Sequence, residues 1–133
     1  MKRVFVNGTF DIVHVAHIKL LNTARSMGDY LMVAIDSDRR IQELKGKKRP
    51  INNEYERLGL MLNLKSVDEV KVFDSDEELI KIIKEYQPDV MVKGSDYRYR
   101  PILGQEYCKH IEFFERIDEY STTKKIQDII ARR

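Results

Sequence analysis

Apolar and polar positions along the chain alternate between two periods. Val4-Phe5-Val6 is an unbroken apolar run of the kind buried on both faces of a sheet. Ile18, Leu20, Leu21, Ala24 and Met27 follow at helical spacing, and Gly28 is placed to end that helix. Tyr30 to Ile35 reads as a second buried strand, stopping at Asp36-Ser37-Asp38. Strand, helix and strand in this order make a right-handed unit with parallel strands. Arg39 to Asn53 is the least regular stretch, and Glu54 to Leu64 returns to helical spacing through Leu58, Met61, Leu62 and Leu64. Glu69 to Phe73 is a third strand. Asp74-Ser75-Asp76 caps a helix whose stripe is Leu79, Ile80, Ile82 and Ile83. Pro88 stops that helix, and Asp89 to Val92 is the fourth strand. Tyr97 to Pro101 reads as a loop and Gly104 to His110 as a short helix or turn. Ile111 to Phe114 is the fifth strand, and Ser121 or Thr122 caps a last helix that ends at Arg132-Arg133.

This alternation predicts an α/β fold: a single-domain, Rossmann-like, doubly wound sheet of about five parallel strands with helices on both faces. Ligands in such sheets bind beyond the carboxyl ends of the strands, near the switch in strand order. Four polar clusters follow predicted strands: Asn7-Gly8-Thr9, Asp36-Ser37-Asp38, Lys93-Gly94-Ser95-Asp96 and Arg116 to Thr123. They are expected to meet along one edge.

Composition narrows the class. With 133 residues the chain has room for one core and is expected to be one domain throughout. Its 24 basic and 22 acidic residues leave a net charge of +2, no reason to expect nucleic acid or a membrane surface. No apolar run approaches the roughly 20 residues that span a bilayer. Met1-Lys2-Arg3-Val4 enters the first strand directly, so no signal peptide is expected. The single Cys108 cannot form an internal disulfide and fits a reducing, cytoplasmic setting as a small semi-buried residue.

The candidate chemistry lies where the first strand ends. Gly8 permits a sharp exit from the strand, and Asp11 tolerates turn geometry. His14 and His17 then open the helix three residues apart, on one face. A helix start already offers unpaired N–H groups and a positive dipole end, and two imidazoles there suit phosphate. The same pair could instead cap the helix or hold a metal. A metal fits poorly, because cysteine and suitably spaced carboxylates are absent nearby.

Gly8-Thr9-Phe10-Asp11 with His14-Val15-Ala16-His17 resembles the signature of the small nucleotidyltransferases that carry a His-x-Gly-His motif. These include the glycerol-3-phosphate, choline-phosphate and ethanolamine-phosphate cytidylyltransferases and the heptose-phosphate adenylyltransferases. Ser121-Thr122-Thr123-Lys124 resembles their second motif, so the likeness covers nearly the whole chain. One departure is plain: Ala16 stands where the family has Gly.

The resemblance implies transfer of a nucleoside monophosphate from an NTP to a sugar phosphate or polyol phosphate, with release of pyrophosphate. It implies that Asn7, Gly8, Thr9, Phe10, His14, His17, Lys93, Gly94, Asp96, Ser121, Thr122 and Thr123 hold the nucleotide. His14, His17, Lys45 and Arg116 would act on the reaction, and Asp11, Lys45, Lys47 and Arg57 would meet the acceptor phosphate. Mg²⁺ would bridge the triphosphate oxygens with few protein ligands, and relatives are commonly homodimers. Lys93-Gly94-Ser95-Asp96-Tyr97 looks most like the adenylyltransferase branch and favours ATP. Arg116 and Glu119 are spaced as in the cytidylyltransferases, which keeps CTP as the alternative. From another class, Ala16 leaves open a catalytically weak nucleotide-binding module.

Read without the resemblance, Lys45, Lys47, Lys48 and Arg49 are a solvated loop or a lid, and Arg57 is a surface residue. Ser121 to Thr123 is an N-cap, a role compatible with phosphate binding.

Overall fold

The computed structural model describes residues 1–115 and 121–133. Five parallel strands, β1 (Arg3–Gly8), β2 (Tyr30–Asp36), β3 (Glu69–Phe73), β4 (Val90–Gly94) and β5 (His110–Phe114), form one sheet. Their order is β3-β2-β1-β4-β5. The helices are α1 (Val15–Ser26), α2 (Asp38–Lys45), α3 (Glu54–Leu62), α4 (Asp76–Tyr86) and α5 (Thr122–Ala131). The doubly wound α/β arrangement expected from the periodicity is the one observed.

Alternation along each strand divides the core into two layers. Val4 and Val6 of β1, with Val33 and Ile35 of β2, face Leu21 and Ala24 of α1 and Met61 of α3. Phe5, Met32, Ala34 and Met91 point the other way, onto Leu79, Ile83 and Tyr86 of α4. Burial on both faces is why these strands read as continuous apolar runs.

Two local expectations change. The stretch from Arg39 contains a helix: Ser37 Oγ accepts from the Arg40 N–H at 3.1 Å, and Gly46 ends α2 at φ 95°. Only Ile41 of α2 is buried, so the helix carries too little apolar periodicity to be legible. α1 ends at Ser26 with Met27 as its C-cap, just before Gly28 as expected, but Gly28 has no positive φ and so does not stop the helix through a left-handed turn. A Cβ on Gly28 would lie 2.7 Å from the Lys2 carbonyl oxygen; close backbone approach requires the glycine.

The switch in winding direction falls between β1 and β4. Their ladder is short, pairing Val4 with Val90 and Phe5 with Met91. Beyond it, side chains from the two strand ends meet: Lys93 Nζ donates to Asn7 Oδ1 at 2.7 Å. This is the crevice in which a doubly wound sheet places its ligand.

Candidate active site

A cavity of about 380 Å³ opens at that crevice. Its walls bring together Asn7, Gly8, Thr9 and Phe10 from the end of β1, His14 and His17 from the start of α1, and Ser121, Thr122 and Thr123 from the start of α5. Gly94, Asp96, Lys45 and Arg49 complete the polar lining. Two motifs more than a hundred residues apart in the chain thus share one chamber. Ser121 Oγ caps α5 by accepting from the Lys124 N–H at 3.0 Å. Thr122 Oγ1 donates to the Asp11 carbonyl at 2.5 Å, tying the α5 start to the β1–α1 loop.

That loop is strained on both sides of Asp11. Phe10 and Ile12 have φ of 51° and 52°, a region costly for side chains with a Cβ and most of all for a branched one. Asp11, 1% exposed, holds the loop in place. Its carboxylate accepts from the Ile51 N–H at 2.7 Å and the Asn52 N–H at 2.9 Å. The buried Phe10 ring packs against His17, centroids 5.3 Å apart.

The histidines are stacked, ring centroids 3.9 Å apart. His17 Nδ1 accepts the backbone N–H of His14 at 3.2 Å. Desolvation, then the neighbouring His14, pushes the His17 pKa down to about 4, against a smaller opposing pull from Asp11. His14 is lowered too, by desolvation and by Lys125. At neutral pH His17 is therefore an uncharged imidazole with Nε2–H as its donor.

Three expected acceptor contacts are placed elsewhere. Arg57 is 0% exposed, and its guanidinium points inward. It donates to the carbonyls of Thr9 (3.1 Å), Asp36 (2.7 Å) and Asn52 (3.0 Å) and to Asp38 Oδ1 (2.8 Å). Arg57 is thus a strut that fixes the ends of β1 and β2, and it has no face toward the chamber. Asp11 is likewise occupied by backbone amides, and its charge would repel phosphate. Lys47 is exposed and lies outside the chamber wall.

Lys45 remains in the chamber and Arg49 joins it, 4.0 Å from the Asp11 carboxylate. The basic run was the only sequence signal for Arg49. Lys93 lines a neighbouring cavity instead. Arg116, with Glu119, lies outside the described residues.

No group of three or more His, Cys, Asp or Glu side chains among the described residues could hold a metal ion. No helix there is long and apolar enough to cross a membrane. Burial raises the Cys108 thiol pKa, so the thiolate is disfavoured.

Fold and site together define a doubly wound domain with a polar chamber at its switch point. The model of the cytidylyltransferase-like family matches residues 5–129. The chain belongs to that family. The bifunctional protein HldE of Sulfurimonas denitrificans is 45% identical over 130 residues, 96% of this chain and 27% of the relative. That of Campylobacter fetus is 41% identical over 126 residues, 95% of this chain and 27% of the relative. The chain spans about a quarter of the length of the curated relatives it matches. Among solved structures, the lipopolysaccharide core biosynthesis protein from Thermoplasma volcanium has a TM-score of 0.72 at 28% identity, over 88% of this chain and 99% of that one. TmcAL of Thermotoga maritima, bound with alpha-thio ATP, shares the fold at TM-score 0.69 and 13% identity, over 99% of this chain and 50% of that one.

Proposed function

We propose that this chain transfers a nucleoside monophosphate, from ATP in preference to CTP, to a sugar phosphate or polyol phosphate. The observation that carries the reading is the single chamber shared by His14, His17 and the α5 N-terminus. An acceptor phosphate oxygen attacks the α-phosphorus, the bond to the β-phosphate oxygen breaks, and pyrophosphate leaves with the electron pair. A phosphate dianion needs no general base, so positioning and charge stabilisation are the protein's tasks. His14 and His17 donate to oxygens on which charge grows, with Lys45 and Arg49 alongside. Mg²⁺ arrives on the triphosphate as part of the substrate. The HldE relatives and the Lys93-Gly94-Ser95-Asp96-Tyr97 stretch support ATP and a sugar phosphate.

Pyrophosphate release with each of the four NTPs, against a panel of sugar and polyol phosphates, tests this. ATP with a sugar phosphate is the expected pair; a preference for CTP overturns the nucleotide assignment. A second reading, a nucleotide-binding module with weak turnover, is favoured by Ala16 lining the chamber. Calorimetry showing no affinity for any Mg-nucleotide would sink both readings.

A further inference from the structure

A second cavity, of about 500 Å³, lies at the same sheet edge and shares Asn7, Gly8, Thr9, Leu20, Lys45 and Gly94 with the first. Its apolar wall includes Phe73, Leu79 and Ile102, and its charged lining is Asp36, Arg40, Lys45 and Lys93. Two of these charges cancel: Arg40 Nε donates to Asp36 Oδ2 at 3.1 Å. Arg40 is further held by Asp76 at 2.6 Å, so it is not spare. Two cations are left facing one chamber, which suits a dianion.

Lys93 is the more informative of the two. It projects from the end of β4, its Nζ bonded to the neutral Asn7 Oδ1 at 2.7 Å and set 4.9 Å from the Tyr97 ring centroid. No carboxylate among the described residues forms an ion pair with it. Asp36 and Asp96 act on this ammonium only from a distance, so its desolvation is offset in part and an anion in direct contact would complete it.

We propose that Lys93 holds the acceptor phosphate: its ammonium, with Lys45 at the mouth common to both cavities, fixes a small hydroxylated phosphomonoester in the second chamber. The hydroxyls of that molecule meet Asp36, the one acidic side chain in the lining. The apolar wall packs against its carbon skeleton. Lys93 does not line the histidine chamber, so a triphosphate seated there meets other donors. The two chambers join at Gly8 and Thr9, which brings a phosphate beside Lys93 next to the α-phosphorus of that triphosphate. The identity of this phosphate as the nucleophile rests on the transfer reading above; the anion site itself does not.

Burial lowers the Lys93 pKa to about 8, with Asp36 and Asp96 opposing the shift. An anion at hydrogen-bond distance must therefore raise it. The test is NMR of the lysine side-chain amines, with the Lys93 signal assigned by its loss in Lys93→Met. Inorganic phosphate is titrated into the protein alone, and again with Mg²⁺ and α,β-methylene ATP filling the first chamber. The expected result is a phosphate-dependent rise in the proton affinity of Lys93 of roughly tenfold or more in both titrations. Lys93→Met should weaken hexose 1-phosphate binding at least about tenfold, with nucleotide affinity changed by less than about twofold; Lys93→Arg should retain part of the hexose 1-phosphate binding. A Lys93 signal that answers to nucleotide and not to phosphate would make it a nucleotide residue. One that answers to neither would make it a strut for Asn7. Either outcome overturns the proposal, and the wild-type titration decides it even if Lys93→Met fails to fold. Absence of nucleotide binding would defeat the transfer reading alone, because the titration without nucleotide still reads Lys93.

Discussion

His14 donates its backbone N–H to Nδ1 of His17 at 3.2 Å, while the two rings stack with centroids 3.9 Å apart. One bond thereby sets the tautomer. With Nδ1 accepting, the proton of a neutral His17 resides on Nε2, and the ring is ready to donate. Burial, with the Phe10 ring packed beside it, and the neighbouring His14 keep the imidazole uncharged.

From this arrangement, His17→Ala should reduce turnover by about 10²–10³, the usual effect of removing one donor to developing charge. Steady-state kinetics alongside circular dichroism check it, with an intact fold expected. Loss of the fold without a specific rate effect would make His17 a capping residue.

The His17 pKa also carries a stability signature. It lies near 4 in the folded chain and near 6.5 when unfolded, so between those values the unfolded state binds more protons. Stability from this group is therefore full above about pH 6.5 and is lost as pH falls toward 4. Denaturant titrations at pH 4.5 and 7 should show the decrease. It should shrink in His17→Asn, which cannot titrate.

Arg57 gives the opposite expectation to that of a ligand residue. Its removal leaves three backbone carbonyls, the buried one of Asp36 among them, and the partly exposed Asp38 without their donor. Arg57→Ala should destabilise the fold by about 2–4 kcal/mol, through the cavity left by a fully buried side chain and the buried carbonyl left unpaired. Arg57→Lys should also destabilise it, because an ammonium cannot reproduce the planar fork. Thermal unfolding checks both. A stable variant with only a raised acceptor KM would restore the phosphate-binding role.

Ala16 is the departure from the family motif, and it lines the histidine chamber. Ala16→Gly should lower stability by roughly 0.5–1 kcal/mol. If the methyl group holds phosphate away from the backbone, the same change raises nucleotide affinity or turnover. Paired melting and calorimetry decide. A loss of stability with no gain in binding or rate would mean that the chamber has already adjusted to the methyl.

Local chemistry determined much of this protein. Val4-Phe5-Val6 and Tyr30 to Ile35 are strands in any fold that covers both faces, because side-chain alternation is a property of the strand itself. The His14-Val15-Ala16-His17 turn and Ser121 as a helix start were legible for the same reason: each is made by neighbours in sequence. α2 was not, because one buried residue, Ile41, is too little periodicity, and its arginines are held by Asp36, Asp74 and Asp76. Nor was the direction in which a charged side chain points. Arg57 and Lys93 are each a cation in a polar stretch of sequence. The tertiary structure turns one inward to carbonyls from three separate segments and sets the other against Asn7, 86 positions away. A charge goes where its desolvation is best offset, and the partners that offset it exist only once the sheet has brought distant strand ends together.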